Sequence, residues 1–105
     1  MTLPHAEAPC YTLLLTHTAE KSQRKLDKPL RLKLKQALAL LMHTPHTVGE
    51  ALKQPLTGVY SHHLTYHGVE WRIAYTIDTL RLEVIVVHIG SHENFYKTLK
   101  RWLFA

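Results

Sequence analysis

The sequence predicts an α+β domain, with an N-terminal helical pair packed on one face of a mostly antiparallel sheet. Three observations predict this. Leucines recur at helical spacing between positions 26 and 41, the hydrophobic period shifts toward two between 59 and 89, and a second amphipathic stretch follows from residue 91. The order they imply is β-α-α-β-β-β-α.

Residues 11–16 alternate Tyr11, Leu13 and Leu15 with Thr12, Leu14 and Thr16, which reads as a first strand. Thr16 or Thr18 then caps a short polar helix over 19–26, with Glu20 near its positive end. Asp27-Lys28-Pro29 interrupts it, and Pro29 suits the first turn of a second helix, where its missing N–H costs nothing. Leu26, Leu30, Leu34, Leu38 and Leu41 form the core stripe of that helix, which ends near His43-Thr44-Pro45. Residues 44–58, with Pro45, Gly49 and Pro55, read as a polar connection. Strands follow over 59–66, 70–77 and 80–89, joined by turns at His67-Gly68 and Asp78-Thr79. Val84, Ile85, Val86 and Val87 are continuously apolar, as expected at the centre of a sheet covered on one face by helices. Gly90-Ser91 breaks that strand, and Ser91 is expected to cap a last helix whose apolar face is Phe95, Leu99, Trp102 and Leu103.

The chain of 105 residues fits one domain, 1–105, and its 46% apolar and 20% charged residues exclude a disordered or low-complexity protein. Its longest apolar run, 82–89, is broken by Glu83 and His88 and falls far short of the roughly 20 residues that cross a bilayer. Residues 1–9 carry Glu7 and two prolines and do not read as a secretory leader. Cys10 is the sole cysteine, so no intramolecular disulfide or paired-cysteine metal clamp can form, and a reducing cytoplasm is expected. A net charge of +5, with nine histidines besides, favours a polyanionic partner.

Five histidines fall between 62 and 92. Alternation places Ser61, His63, Thr65 and His67 on one face of their strand, with Tyr60, His62, Leu64 and Tyr66 on the other. On the next strand Glu70, Arg72 and Ala74 oppose the apolar set Trp71, Ile73, Tyr75 and Ile77. A polar face carrying His63, His67, Glu70 and Arg72, with His92 just past the following strand, concentrates acid–base groups around a fixed cation. RNA cleavage needs that combination: a base for the 2′-hydroxyl, an acid for the 5′-oxygen, and positive charge on the crowded phosphate. Arg72 offers a planar fork that never deprotonates. Tyr96, one helical turn past His92, is placed to stack on a base.

The remaining histidines read more plainly. His5, His17, His43 and His46 are surface residues, His62 is packed, and His88 is a satisfied core histidine. His63-xxx-His67 and His88-xxx-His92 have ligand-like spacing, but they straddle strand ends and no cysteine joins them. Neither a metal nor an organic cofactor is expected.

Three segments resemble the RelE/ParE toxin superfamily. They are Leu56-Thr57-Gly58; Glu70-Trp71-Arg72-Ile73-Ala74-Tyr75; and Val87-His88-Ile89-Gly90-Ser91-His92-Glu93-Asn94-Phe95-Tyr96. The resemblance implies a RelE-like fold and a type II toxin held by a cognate antitoxin. It implies mRNA cleavage, on the ribosome, with Arg72 on the phosphate, His92 in acid–base work and Tyr96 as the terminal aromatic. The lysine pair of RelE would fall near His63 and Thr65, so the chemistry would resemble the histidine-using, YafQ-like branch. His63, His67 and Glu70 are candidates for the complementary proton role, and Lys97, Lys100 and Arg101 for RNA-backbone contact. The ParE branch, which poisons DNA gyrase, and an inactive interaction module share the architecture and remain open alternatives.

Overall fold

The computed structural model describes residues 10–104. The leader reading of residues 1–9, and the surface reading of His5 within them, lie outside the described residues. The chain runs β1 (Thr12–Leu15), α1 (His17–Arg24), α2 (Lys28–His43), α3 (Pro45–Val48), β2 (Glu50–Ala51), β3 (Tyr60–Tyr66), β4 (Val69–Asp78), β5 (Glu83–Ser91) and α4 (Phe95–Phe104). One five-stranded sheet has the order β1-β5-β4-β3-β2. Its β1–β5 pairing is parallel and the other three are antiparallel.

The helical pair starts where capping chemistry dictates. The Thr16 hydroxyl accepts from the Ala19 N–H at 3.2 Å, and Asp27 Oδ1 accepts from the Leu30 N–H at 3.0 Å, with Pro29 in the first turn of α2. Leu30, Leu34, Ala37 and Leu41 are buried, with Leu26 and Leu38 packed at the margin, so the leucine stripe is core as expected. It lies with Ala19 of α1 against Ile73, Tyr75, Val84, Val86 and Ile89 of the sheet.

Tyr75 is fully buried at the centre of this layer. Its hydroxyl donates to the Pro45 carbonyl at 2.7 Å and its ring stacks 5.6 Å from Tyr60. The backbone at Gly49 passes so close that a Cβ there would stand 2.2 Å from the Tyr75 oxygen, so only glycine fits. This clamp organises what the sequence presents as a plain connection. Residues 44–58 in fact contain α3 and β2, and β2 pairs with β3 through Glu50↔Ser61 and Ala51↔Tyr60.

Coverage of the sheet also departs from expectation. Helices lie on both faces, because α4 folds over the second and buries Phe95 and Leu99 against Leu56, Val59 and Ala74. A bulge makes this possible: Ala74 pairs with His88 and Tyr75 with Val86, leaving Val87 as the extra residue. Val86 therefore stays in the main core while Val87 joins the smaller cluster. Trp102 and Leu103, expected on the buried face of α4, are 53% and 38% exposed.

Ser91 does not cap α4. It is the last residue of β5, and the His92 N–H continues the ladder by donating to the Glu70 carbonyl at 2.8 Å. The helix starts after Asn94, which adopts the left-handed conformation (φ 59°) that asparagine tolerates. No helix among the described residues is long and apolar enough to cross a membrane.

Candidate active site

The polar face of the sheet can be read off the strand register. Across β3 and β4, His63 lies opposite Arg72, Thr65 opposite Glu70 and Ser61 opposite Ala74, while Arg72 faces Gly90 on β5. Glu50 on β2 is paired with Ser61 and so shares this face. Directly opposed residues place their Cβ atoms about 4.5–5.5 Å apart. His63 is thus an immediate neighbour of Arg72.

Arg72 is the hub. Its Nε donates to His92 Nδ1 at 3.0 Å, its Nη1 donates to the Tyr96 hydroxyl at 2.9 Å, and its Nη2 sits 2.5 Å from Glu70 Oε2. The last contact is an ion pair whose angles fall outside hydrogen-bond geometry. The guanidinium carbon also stands 5.5 Å from the Tyr96 ring centroid. An arginine has five N–H donors. Three of its nitrogens are engaged here, and the side chain is 16% exposed, so Arg72 is held rigidly with N–H groups to spare. His92, by contrast, is exposed, and its Nδ1 is also 3.6 Å from Glu70 Oε2.

Each of these positions has a local cause. Glu70 and Arg72 share a face because they are two residues apart on a strand. His92 reaches them because the ladder runs one residue past β5, and Tyr96 because the turn at residues 92–94 starts α4 beside that edge. Glu70, Arg72, His92 and Tyr96 therefore converge, with His63 across the ladder.

His67 does not join them. It belongs to the turn after β3, in the left-handed region (φ 51°), and its ring stacks at 4.1 Å on Tyr66. Strand alternation stops at Tyr66, so placing His67 on the face of His63 extended the pattern too far. Lys97, Lys100 and Arg101 are exposed along α4.

His88 is buried, as expected, but it is not satisfied. Its ring packs 4.9 Å from Phe95, and its Nδ1 has no hydrogen-bond partner. Burial holds its pKa below the ordinary histidine value. His88 and His92 are thus separated by environment, one in the small core and one at the surface. Among the described residues, no three His, Cys, Asp or Glu side chains gather as a metal site.

The family is decided by a match that spans most of the chain. Residues 13–100 match the sequence model of the ParE-like toxin of type II bacterial toxin-antitoxin systems. The chain belongs to this family. Among curated proteins, none matches it. Solved structures similar to this ParE-like toxin include the RelBE2 toxin-antitoxin complex of Mycobacterium tuberculosis, at 28% identity and a TM-score of 0.65, covering 81% of this chain and 100% of that one. An E. coli RelE variant bound to a peptide of the antitoxin RelB is 25% identical with a TM-score of 0.68, covering 88% and 97%. The YoeB/ParE toxin of Agrobacterium tumefaciens, 21% identical with a TM-score of 0.65 and covering 77% and 98%, shares the fold.

One residue of this ParE-like toxin escaped the sequence reading. Glu50 sits in what looks like a loop, yet two ladder pairs place its carboxylate on the site face, lining a depression with Ser61 and His63. The available signal was Gly49 followed by a short polar–apolar alternation, too brief to mark a strand.

Proposed function

We propose that this toxin is a metal-independent mRNA endonuclease acting at a phosphate bound over Arg72, on the ribosome and in the cytoplasm, and that a cognate antitoxin restrains it. The carrying observation is the fixed guanidinium with His92 on one side and His63 on the other. Such an arrangement supplies the permanent charge and the two proton-transfer groups that in-line attack by a 2′-hydroxyl requires.

The unused N–H groups of Arg72 take the phosphate oxygens as negative charge develops. His63 and Glu50 are the groups on the β3 side able to accept the 2′-hydroxyl proton. His92 works on the other side, at the departing 5′-oxygen. In the resting site Arg72 Nε donates to His92 Nδ1, which fixes the imidazole beside the guanidinium. A bound phosphate competes with Glu70 for Arg72. The products are a 2′,3′-cyclic phosphate and a free 5′-hydroxyl.

Tyr96 steadies the guanidinium and offers its ring to a base, while Lys97, Lys100 and Arg101 lie along α4 for RNA-backbone contact. The antitoxin proposal draws on the RelBE2 complex and on the RelE–RelB peptide complex, in which the similar chains are bound by antitoxin.

The decisive test incubates purified toxin with mRNA, with and without translating ribosomes, in EDTA, beside Arg72→Ala and His92→Ala. EDTA-resistant cuts ending in 2′,3′-cyclic phosphate and lost in both variants are expected. Absence of cuts with the wild type would overturn the nuclease reading in favour of gyrase poisoning or an inactive module.

A further inference from the structure

Trp102 is the side chain of α4 that departs furthest from the amphipathic pattern: it is 53% exposed, at the opposite end of the helix from Tyr96. A rise of 1.5 Å per residue puts the two about 9 Å apart along the axis. Trp102 stands beside α1 rather than on the sheet. With His17, Thr18, Lys21, Ser22 and Lys25 it lines an open groove of about 330 Å³ between the two helices. That volume lies within the roughly 300–1,000 Å³ of ligand sites, and the cleavage chemistry above uses none of these residues.

The two walls of the groove differ in chemistry. His17, Lys21 and Lys25 recur every fourth residue, so they form one stripe along α1 and its C-terminal cap. Thr18 and Ser22 make the neighbouring row, where the Ser22 hydroxyl donates to the Thr18 carbonyl at 3.0 Å. No carboxylate lines the groove. The one acid of α1, Glu20, is held by Arg24 at 3.1 Å. Among the described residues neither Lys21 nor Lys25 has an ion-pair partner, so both ammonium groups keep their field for an incoming anion. The other wall is the half-exposed indole. Cations beside an open aromatic ring are the means by which single strands are held, phosphate on the charge and base on the ring.

We infer that the groove between α1 and α4 is a second RNA site, which stacks one base on Trp102 and sets the adjoining phosphate against Lys21 and Lys25. The inference does not rest on Arg72 being the cleavage centre, since binding here needs no chemistry. The indole decides between nucleic acid and an acidic polypeptide. A carboxylate side chain satisfies the lysines but leaves the ring with nothing flat to cover it, whereas a nucleotide engages both walls. Leu103 and Phe104, also exposed near the end of α4, do not line the groove.

The test is an NMR titration of the full chain with a 2′-O-methyl oligoadenylate, whose blocked hydroxyl prevents cleavage, and with a capped oligoglutamate of equal charge. The Trp102 indole N–H, identified by its loss in Trp102→Phe, is expected to shift with the RNA, together with the Lys21, Ser22 and Lys25 amides. Affinity read from the Lys21 amide should be about tenfold tighter for the RNA than for the peptide. Trp102→Ala should weaken the RNA about tenfold and Trp102→Phe far less, with peptide binding unchanged in both. Lys21→Gln combined with Lys25→Gln, at two exposed positions, should flatten the salt dependence, lowering the slope of log K against log salt by about 1 to 1.5. RNA shifts confined to Arg72, His92 and Tyr96 overturn the groove and leave the cleavage site standing. Equal affinity for peptide and RNA overturns the nucleotide assignment in favour of an acidic partner, and unchanged RNA affinity in Trp102→Ala removes the stacked base. Shifts at the groove with none at Arg72 uphold this site and count against the other.

Discussion

The two faces of the sheet are built by one alternation and put to opposite uses. On the first, Ile73, Tyr75, Val84 and Val86 are fully buried beneath α1 and α2. On the second, α4 buries the part around Ala74 and Val87 and brings Tyr96 onto Arg72, while His63 stays exposed and Glu70 half-buried. Packing on the first face supplies the rigidity that lets the second leave polar groups exposed without losing their geometry.

That contrast can be broken most forcefully from the apolar side. Leu41→Ala should cost about 2–5 kcal/mol of unfolding free energy by urea denaturation, with cleavage per folded molecule retained. A selective loss of activity in a stable Leu41→Ala protein would show that the faces are not separable. Arg72→Ala is the mirror experiment. Its cleavage rate should fall on the order of a hundredfold or more, while a cooperative urea transition is retained.

How much of this contrast was legible depended on element length. The stripe from Leu26 to Leu41 declares itself because it repeats over four turns, and the β4 alternation separates Arg72 from Ile73 without help. By comparison, α3 has four residues and β2 two, too few for any period to rise above chance, so Glu50 was hidden. Ser91 failed as a cap because a ladder bond to Glu70, formed by residues 22 positions apart in the chain, carries the edge one residue past the strand. His67 was misplaced by continuing a strand pattern into a left-handed turn. The convergence of His92 and Tyr96 on Arg72 depends on the turn at residues 92–94, which composition alone does not specify.

Titration sharpens the comparison from both ends of the pH scale. Tyr75, on the first face, has its phenol pushed up to about 12 by burial. Its folded value exceeds its unfolded one, so its contribution to stability is complete below about pH 10 and drains away as pH rises toward 12. Tyr75→Phe should flatten that alkaline loss and forfeit about 1 kcal/mol from the bond to Pro45. His88, under α4, is the opposite case. With its folded pKa depressed, its contribution is present above the ordinary value of 6.5 and is lost as pH falls through the lower folded value. Chemical denaturation of His88→Leu across this range should show a shallower acid slope than the wild type; an identical slope would assign acid lability elsewhere.

The smallest effect is expected at the seam between the faces. Tyr96→Phe removes only the hydroxyl that receives Arg72 Nη1 and keeps the ring, so cleavage should slow by a few-fold, on the scale of about 1 kcal/mol. A loss as large as that of Arg72→Ala would mean that the hydroxyl itself meets the substrate.

The parallel pairing of β1 with β5 carries a temporal consequence. Synthesis delivers β1, α1, α2 and β4 before the strand that must lie between β1 and β4. Until β5 emerges, the first strand has no neighbour in the sheet, and until α4 follows, Arg72 has neither His92 nor Tyr96. A growing chain thus holds its cation without the partners that orient it, and the assembled site comes into being only in the last moments of folding.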